Sequence, residues 1–545
     1  MSAGAGAPGP ALVRAGASLG QAAALIAVIT VAARAMGLVR TAVFARAVGS
    51  GCVGTVYQTV NAIPNIVFDV VAGGMLAAAV VPMLAGPLAA GDRERAAGIA
   101  SALLTWCLLA LGAVSAGVLL AAGPLSALLL GGGGGPGGGA CAGAADLGRR
   151  MLVAFAPQIA LYGVAIVLGG LLQAGRRFAW PALAPLVSSL VVIAAYLSYG
   201  AQAGPDTPIP TLPRAAELTL AVGTTAGVAA LALALAPSVL RMRLVLRPTL
   251  RFPAGSAAVA RAAVLAGAAA LAGQQICTGV TLRLANTAEA AGAAVIVTLA
   301  QTVFLLPWAI LAVPVATSAF PTLSALAAGG DAERARATLD RVLALLATLC
   351  TAGAAALFAA AEPIAGVLLD RGAPGHRALA PAIAVFAAGL LGWSVVALLA
   401  RALYAAGRFR AAAAGQVAGW AVAIAGQIAL SAALPDADRP AALAAGYALG
   451  VTVAAAALLV SAVRLGLLSG GNLLLSRTAR CLGAAALGGL GGAAVGRLAT
   501  DTGILASMTL GLVAAAIAGG LALALVGLGR DRTMGVAALR RRGAA

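Results

Sequence analysis

Fourteen runs of roughly twenty apolar residues follow one another along this chain of 545 residues, each closed by arginine or by a Gly/Pro cluster. A helix needs about 20 residues to cross a hydrocarbon layer, and it satisfies its own backbone polar groups, so runs of this kind fold as membrane-spanning helices. The runs place spans near 19–47, 55–90, 97–123, 150–173, 178–200, 218–240, 258–283, 290–327, 339–361, 381–404, 411–434, 441–463, 479–499 and 503–528. Only 9% of residues are charged, against about 25% in soluble domains. Aromatics reach only 4% while Ala and Gly abound, which favours helices packed through small residues over an aromatic-girdled barrel. Residues 17–33 could pass for a signal peptide, but Arg34 stands where a small-residue cleavage site belongs, so the segment reads as the first helix.

The formal charge of +19 comes without a single lysine, and the arginines are scattered between apolar runs, so no nucleic-acid partner is expected. They read instead as an orientation signal. With an even number of spans both termini share one side, and 22 of the 35 arginines then fall on that side against 7 opposite. By the positive-inside rule the chain is expected to be N-in and C-in, with a cytoplasmic tail over 1–18 and a basic tail over 529–545 at the lipid surface. The Gly-rich run 131–139 reads as a flexible outside loop. Six cysteines without paired spacing suggest neither a metal nor a disulfide.

An internal repeat is visible. Leu171-Leu172-Gln173-Ala174-Gly175-Arg176-Arg177-Phe178 closes the fourth span and Ala402-Leu403-Tyr404-Ala405-Ala406-Gly407-Arg408-Phe409 closes the tenth, with Ala-Gly-Arg displaced by 232 residues. Six spans per copy leave the second copy oriented like the first, which predicts two lobes related by an axis along the membrane normal around a central cavity. The expected fold is thus all-α and polytopic: an N-lobe over 19–240, a C-lobe over 258–463 and two further helices over 479–528.

Polar residues inside spans locate the work. Arg34, Arg40 and Arg46 recur every six residues on the first helix. On a straight helix they would point about 120° apart, so a bend near Gly37 is expected to bring Arg34 and Arg40 to one water-filled cavity. Asp69 is the carboxylate deepest in a span, and an arginine of the first helix is its expected partner. Asn61, Asn65, Gln274, Gln301 and Thr302 add polar groups to the same cavity, and Pro64 and Pro307 mark hinges where a backbone donor is missing. Neither a catalytic triad, a P-loop nor ligand-spaced metal residues are present in the sequence, so the expectation is transport without cofactor, metal or enzymatic chemistry, driven by an ion gradient, the membrane potential or the substrate's own gradient.

The run from Ala33 to Gly49, containing Arg34, Gly37, Arg40, Phe44 and Arg46, followed by Ile63-Pro64-Asn65 and Ala79-Val80-Val81-Pro82, resembles the start of the MurJ (MviN) lipid II flippases of the multidrug/oligosaccharidyl-lipid/polysaccharide exporter superfamily. Leu306-Pro307 through Pro321-Thr322-Leu323-Ser324 resembles their eighth helix. The resemblance implies fourteen spans as six, six and two, and a cavity in which Arg34, Arg40 and Arg46 bind the pyrophosphate of lipid II or a related polyprenyl-pyrophosphate glycolipid. Thr55, Phe68 and Thr302 stand where that family carries charges, and no sodium site is expected. The implied setting is the bacterial plasma membrane, with the lipid bilayer and cell-wall synthesis proteins as partners. Three other readings stay open: a flippase for another polyprenyl-linked polysaccharide, a cation-coupled drug exporter using Asp69, and a non-transporting cell-wall scaffold.

Overall fold

The computed structural model describes residues 32–71, 77–131, 141–252, 256–287, 292–370, 372–373, 375–469 and 508–524, with Ile29, Gly483 and Ala506 singly. The described residues are helical apart from connecting turns. The first helix, α1, spans 32–47, followed by α2 (Cys52–Val70), α3 (Ala77–Ala89), α4 (Arg93–Leu120), α5 (Ala122–Leu130), α6 (Ala144–Ala174), α7 (Ala179–Gln202) and α8 (Arg214–Leu240). The second half continues with α9 (Ser256–Ala285), α10 (Ala293–Pro307), α11 (Val313–Ala328), α12 (Ala332–Ala359), α13 (Ala361–Leu368), α14 (His376–Ala388), α15 (Leu390–Ala405), α16 (Phe409–Ala433) and α17 (Arg439–Arg464). A last apolar helix, α18, covers Met508–Ala524, whereas the expected span 479–499 lies outside the described residues apart from Gly483. Among the described residues nine helical stretches are long and apolar enough to cross a membrane. The expected second span, 55–90, is built from two helices, α2 and α3, on either side of 72–76.

Helices approach closely because the sequence puts small residues where they meet. Gly415, Gly419 and Ala423 face Gly446, Gly450 and Ala454 along the antiparallel pair α16 and α17, each set spaced by four. A Cβ at Gly450 would lie 2.6 Å from the Gly419 carbonyl oxygen, and one at Gly419 would lie 2.8 Å from that of Gly450. In the first half Gly227 of α8 packs the same way against Ser188 and Val192 of α7. Lipid tails are as apolar as leucine, so close van der Waals packing rather than water exclusion drives such pairing. Where α6, α7 and α8 meet, polar pairs add to it: Arg150 forks onto the buried Glu217 at 2.9 and 3.0 Å, and Tyr57 shares its hydroxyl with Tyr196 and Thr224.

The two halves repeat one another in detail. Asp92 caps α4 by accepting from the Arg95 N–H, and Asp331 caps α12 by accepting from the Arg334 N–H. Each of these long helices leads into a short one, α5 or α13. At the end of α6 the Arg177 N–H reaches the Leu172 carbonyl, and at the end of α15 the Arg408 N–H reaches that of Leu403, both at 2.8 Å. This is the Schellman closure, whose left-handed residue is Arg176 (φ +58°) in the first half and Gly407 (φ +70°) in the second. The equivalent positions are therefore 231 apart, one fewer than the Ala-Gly-Arg match, because the repeat is set by Leu172, Arg177 and Phe178 rather than by the glycine.

Two expectations are corrected. Cys52 and Cys141 are disulfide-bonded, with Cα atoms 5.4 Å apart, whereas Cys107, Cys277 and Cys350 are free and buried. Eighty-nine residues separate the bonded pair, one at the start of α2 and one beyond the glycine run, so spacing along the chain gives no sign of it. The helix over 32–47 also runs unbroken through Gly37, whose carbonyl accepts from the Thr41 hydroxyl at 3.0 Å.

Closing a loop of this length in the unfolded chain stabilises the folded state by about 2–4 kcal/mol. Cys52→Ser with Cys141→Ser is expected to lower the detergent-solubilised melting temperature by several degrees, and non-reducing peptide mapping should recover a single 52–141 link among the described cysteines.

Candidate functional site

Between the lobes lies a cavity of about 150 Å³, enough for several water molecules. Gln58, Asn65 and Asp69 enter it from α2. Gln275, Thr278 and Thr281 come from α9, Thr298 and Gln301 from α10, and Phe386, Gln427 and Tyr447 from α14, α16 and α17. Amides and hydroxyls stand on this wall among the apolar Ala62, Ile66, Leu282 and Val297, and Asp69 is its one charged side chain among the described residues. Gln427 is fully engaged, accepting from the Thr281 hydroxyl at 3.0 Å and donating to the Leu443 carbonyl at 3.3 Å. Gln275 is the side chain that faces Asp69 across the lobe boundary. Its amide is buried, and the Asp69 carboxylate is the acceptor it faces. Gln274, the expected cavity residue, is not part of the lining, since its neighbour Gln275 takes that place.

The three arginines of α1 are distributed along the helix rather than gathered on the cavity. Arg34 is exposed, Arg40 is half-buried, and Arg46 is bound to the other lobe. The absence of a bend at Gly37 is the reason, since six residues on a straight helix turn each guanidinium to a different side. Arg40 acts electrostatically on the hydroxyls of Tyr57, Tyr162 and Tyr196, and Tyr162 in turn donates to Asn65 at 3.0 Å. Tyr162 thus reaches the cavity wall through Asn65. Sequence reading missed it, although a tyrosine one turn after Gln158 in a chain with six tyrosines is the kind of polar aromatic that marks such a wall. Asp69 forms no ion pair among the described residues, so its expected partner on α1 is not there. Asn61 has a buried side-chain oxygen without a partner, Thr302 turns back to the Thr298 carbonyl at 2.8 Å, and neither lines the cavity. Pro64 is buried within the continuous α2, and Pro307 is followed by a single π turn, Trp308–Ala312, before α11.

Beyond the cavity the two lobes are joined by polar contacts. Arg46 donates from Nε and Nη2 to the Val367 carbonyl at 3.0 and 2.7 Å, and its Nη2 lies 3.8 Å from Asp370. Val367 sits in the last turn of α13, where helix carbonyls lack partners and a cation is favoured. Asn286, just after α9, donates to the Thr59 hydroxyl at 2.8 Å and to the Leu129 carbonyl at 3.0 Å, joining the second lobe to α2 and α5. Beside them Gly292 (φ +105°) presses so near the first lobe that a Cβ would lie 2.6 Å from the Ser50 carbonyl oxygen. Asp206, in the loop after α7, accepts from the Gly51 N–H at 2.5 Å and fixes the adjoining turn. Burial pushes its carboxyl above the usual range despite the Gly51 and Ser50 N–H groups that hold it down.

The sequence matches the family model described as lipid II flippase MurJ over residues 44–514. The chain belongs to the MurJ lipid II flippase family. Members of this family are membrane transporters rather than enzymes, in keeping with a polar cavity between two like lobes. Among solved structures, lipid II flippase MurJ in an inward closed conformation is similar over 91% of this chain and 98% of its own, with a TM-score of 0.70 at 16% identity. A multidrug resistance MATE family transporter of the MOP superfamily, inward-facing, matches over 81% of this chain and 98% of its own, at TM-score 0.65 and 15% identity. A MOP superfamily transporter from Pyrococcus furiosus matches over 81% and 93%, at TM-score 0.57 and 16% identity. At these identities the likeness concerns the fold. The family match includes Arg46 and begins after Arg34 and Arg40.

Arg46→Ala should free one of the contacts that join the lobes beyond the cavity. Losing a charge-assisted contact worth about 1.5–3 kcal/mol would raise the population open at that end by one to two orders of magnitude. Labelling of a cysteine placed at Thr298 by a membrane-impermeant thiol reagent, added from that side, measures it; unchanged labelling would exclude Arg46 from holding that end closed.

Proposed function

We propose that this transporter moves lipid II, or a related polyprenyl-pyrophosphate glycolipid, from the inner to the outer leaflet of the bacterial plasma membrane by alternating access. The observation that carries this reading is the polar cavity between two repeated lobes, with contacts beyond it that cross from lobe to lobe. A rocking motion breaks those contacts without unfolding either lobe. We place both termini in the cytoplasm. The arginine-rich turns after α3, α6 and α8 then lie inside, and the Cys52–Cys141 disulfide lies at the opposite, oxidising side, where such bonds persist.

In this proposal Arg34 and Arg40 grip the pyrophosphate, since guanidinium forks match its oxygens. Arg46 joins the lobes in the present conformation and is released to the substrate when that end opens. Asn61, Asn65, Gln274, Gln301 and Thr302 offer amide and hydroxyl groups to the headgroup as the lobes move. One observation favours a second reading, cation-coupled export: the only charge on the cavity wall among the described residues is the carboxylate of Asp69, which attracts cations.

Proteoliposomes loaded with lipid II separate the two. Arg40→Gln is expected to slow outward exposure of the headgroup by about 10–100-fold, the worth of one charge-assisted contact, while Asp69→Asn leaves it within a few-fold. The reverse pattern, together with cation uptake that Asp69→Asn abolishes, would replace the flippase by the exporter.

A further inference from the structure

Three non-glycine residues among those described have a left-handed backbone: Arg176 (φ +58°), Asp206 (φ +56°) and Arg243 (φ +52°). Asp206 has a visible task, holding the turn before α2. The two arginines end α6 and α8, and the corresponding turns after α15 and α17 use Gly407 and Gly466 in the same conformation. An L-residue is disfavoured there and glycine is the residue that folding alone selects. The second half of the chain shows the glycine solution, so arginine in the first half points to a use for its side chain.

The surroundings indicate what that use is. Arg177 donates to the Ser238 carbonyl at 3.1 Å and Arg93 to that of Met242 at 3.2 Å, which draws the ends of α6 and α8 together beside the start of α4. Arg176 and Arg243 remain exposed at this junction and make no ion pair among the described residues. The nearby carboxylate of Asp92 is committed to the cap of α4, and Glu94 stands in that helix's first turn. From Arg243 the chain continues as an extended strap along α4, pinned by Arg247 N–H to Ser101 at 3.0 Å, Thr249 N–H to Thr105 at 3.1 Å, and the Trp106 indole N–H to the Leu250 carbonyl at 3.0 Å. Leu244 and Leu246 turn to the core, while Val245 stays 65% exposed and Leu240, at the end of α8, 75%. Exposed guanidinium groups, bare aliphatic side chains and an indole on one turn and strap form the composition of a headgroup and acyl-chain boundary.

We propose that Arg176 and Arg243 hold the phosphodiester of an anionic phospholipid at this end of the N-lobe, with its acyl chains lying along Leu240 and Val245. Two guanidinium forks suit phosphate oxygens, an anionic headgroup leaves their charge uncancelled by any lipid ammonium, and the aliphatic strip accounts for a lipid rather than a soluble phosphate. The proposal does not depend on which lipid is transported or on which side faces the cytoplasm. Because the strap links the lobes, a lipid held here braces that link.

Native mass spectrometry of the full chain in detergent, titrated with dioleoyl phosphatidylglycerol or dioleoyl phosphatidylcholine, tests it. Phosphatidylglycerol should bind at an at least tenfold lower concentration than phosphatidylcholine. Arg176→Gly with Arg243→Gly removes both charges and relieves both backbones, so the variant should melt at the same or a higher temperature. Its preference for phosphatidylglycerol should fall about fivefold per arginine, the effect of one basic residue at a lipid surface. Arg408→Gln with Arg410→Gln, at the equivalent end of the other lobe, should leave the preference in place. The proposal is overturned if the glycine variant keeps the preference, if the control pair loses as much, or if a polyprenyl diphosphate binds with this arginine dependence and phosphatidylglycerol does not.

Discussion

Helix-to-helix contact through small side chains is the constraint on which everything else in this molecule rests. In lipid no water is released when two apolar helices meet, so association depends on how near their backbones come. The seam of Gly415, Gly419 and Ala423 against Gly446, Gly450 and Ala454 brings α16 and α17 into direct carbonyl contact, and this rigid pair presents Gln427 and Tyr447 to the cavity. Rigid helix pairs of this kind confine a transporter's motion to the boundary between lobes and to the joints between pairs. The hydrogen bonds that cross that boundary are few and separable, whereas the glycine seams inside each lobe bring backbones into direct contact.

The helices and their repetition were legible in the sequence because both are written in local pattern: apolar length, charge at the ends, and a recurring helix terminus. The repeat lies one residue out of the register that Ala-Gly-Arg suggests, because Gly175 and Gly407 are not equivalent. In space Gly175 is the cap of α6 and Gly407 is the residue beyond the cap of α15. What sequence could not reveal are contacts between distant parts of the chain. Cys52 with Cys141, Arg46 with Val367 and Asn286 with Leu129 join residues 89, 321 and 157 positions apart, and no periodicity signals them.

The candidate site was legible to a similar degree. Asn65, Asp69 and Gln301 do line one cavity, because polar residues in an apolar run have few other places to go. Their partners were not legible, since the orientation of a side chain depends on the rotation of its helix. A straight α1 sends Arg46 to α13 and Arg40 to the tyrosines, where a bend would have gathered them. Asp69 consequently faces an amide, Gln275, rather than a guanidinium, and the charge of the cavity wall is reversed from what the arginines of the first helix suggest.

The π turn at Trp308–Ala312 has a mechanical meaning of its own. A wider turn between Pro307 and Pro314 weakens the ladder that makes a helix behave as a stiff rod, and it does so just past the segment carrying Thr298 and Gln301. The rod formed by α10 and α11 therefore has a compliant joint partway along, with Trp308 resting against Trp393 at 5.9 Å between ring centres as its bearing. Torque applied at one tip is absorbed at that joint, so the half bordering the cavity can tilt while the half beyond it stays anchored to α12 and α15.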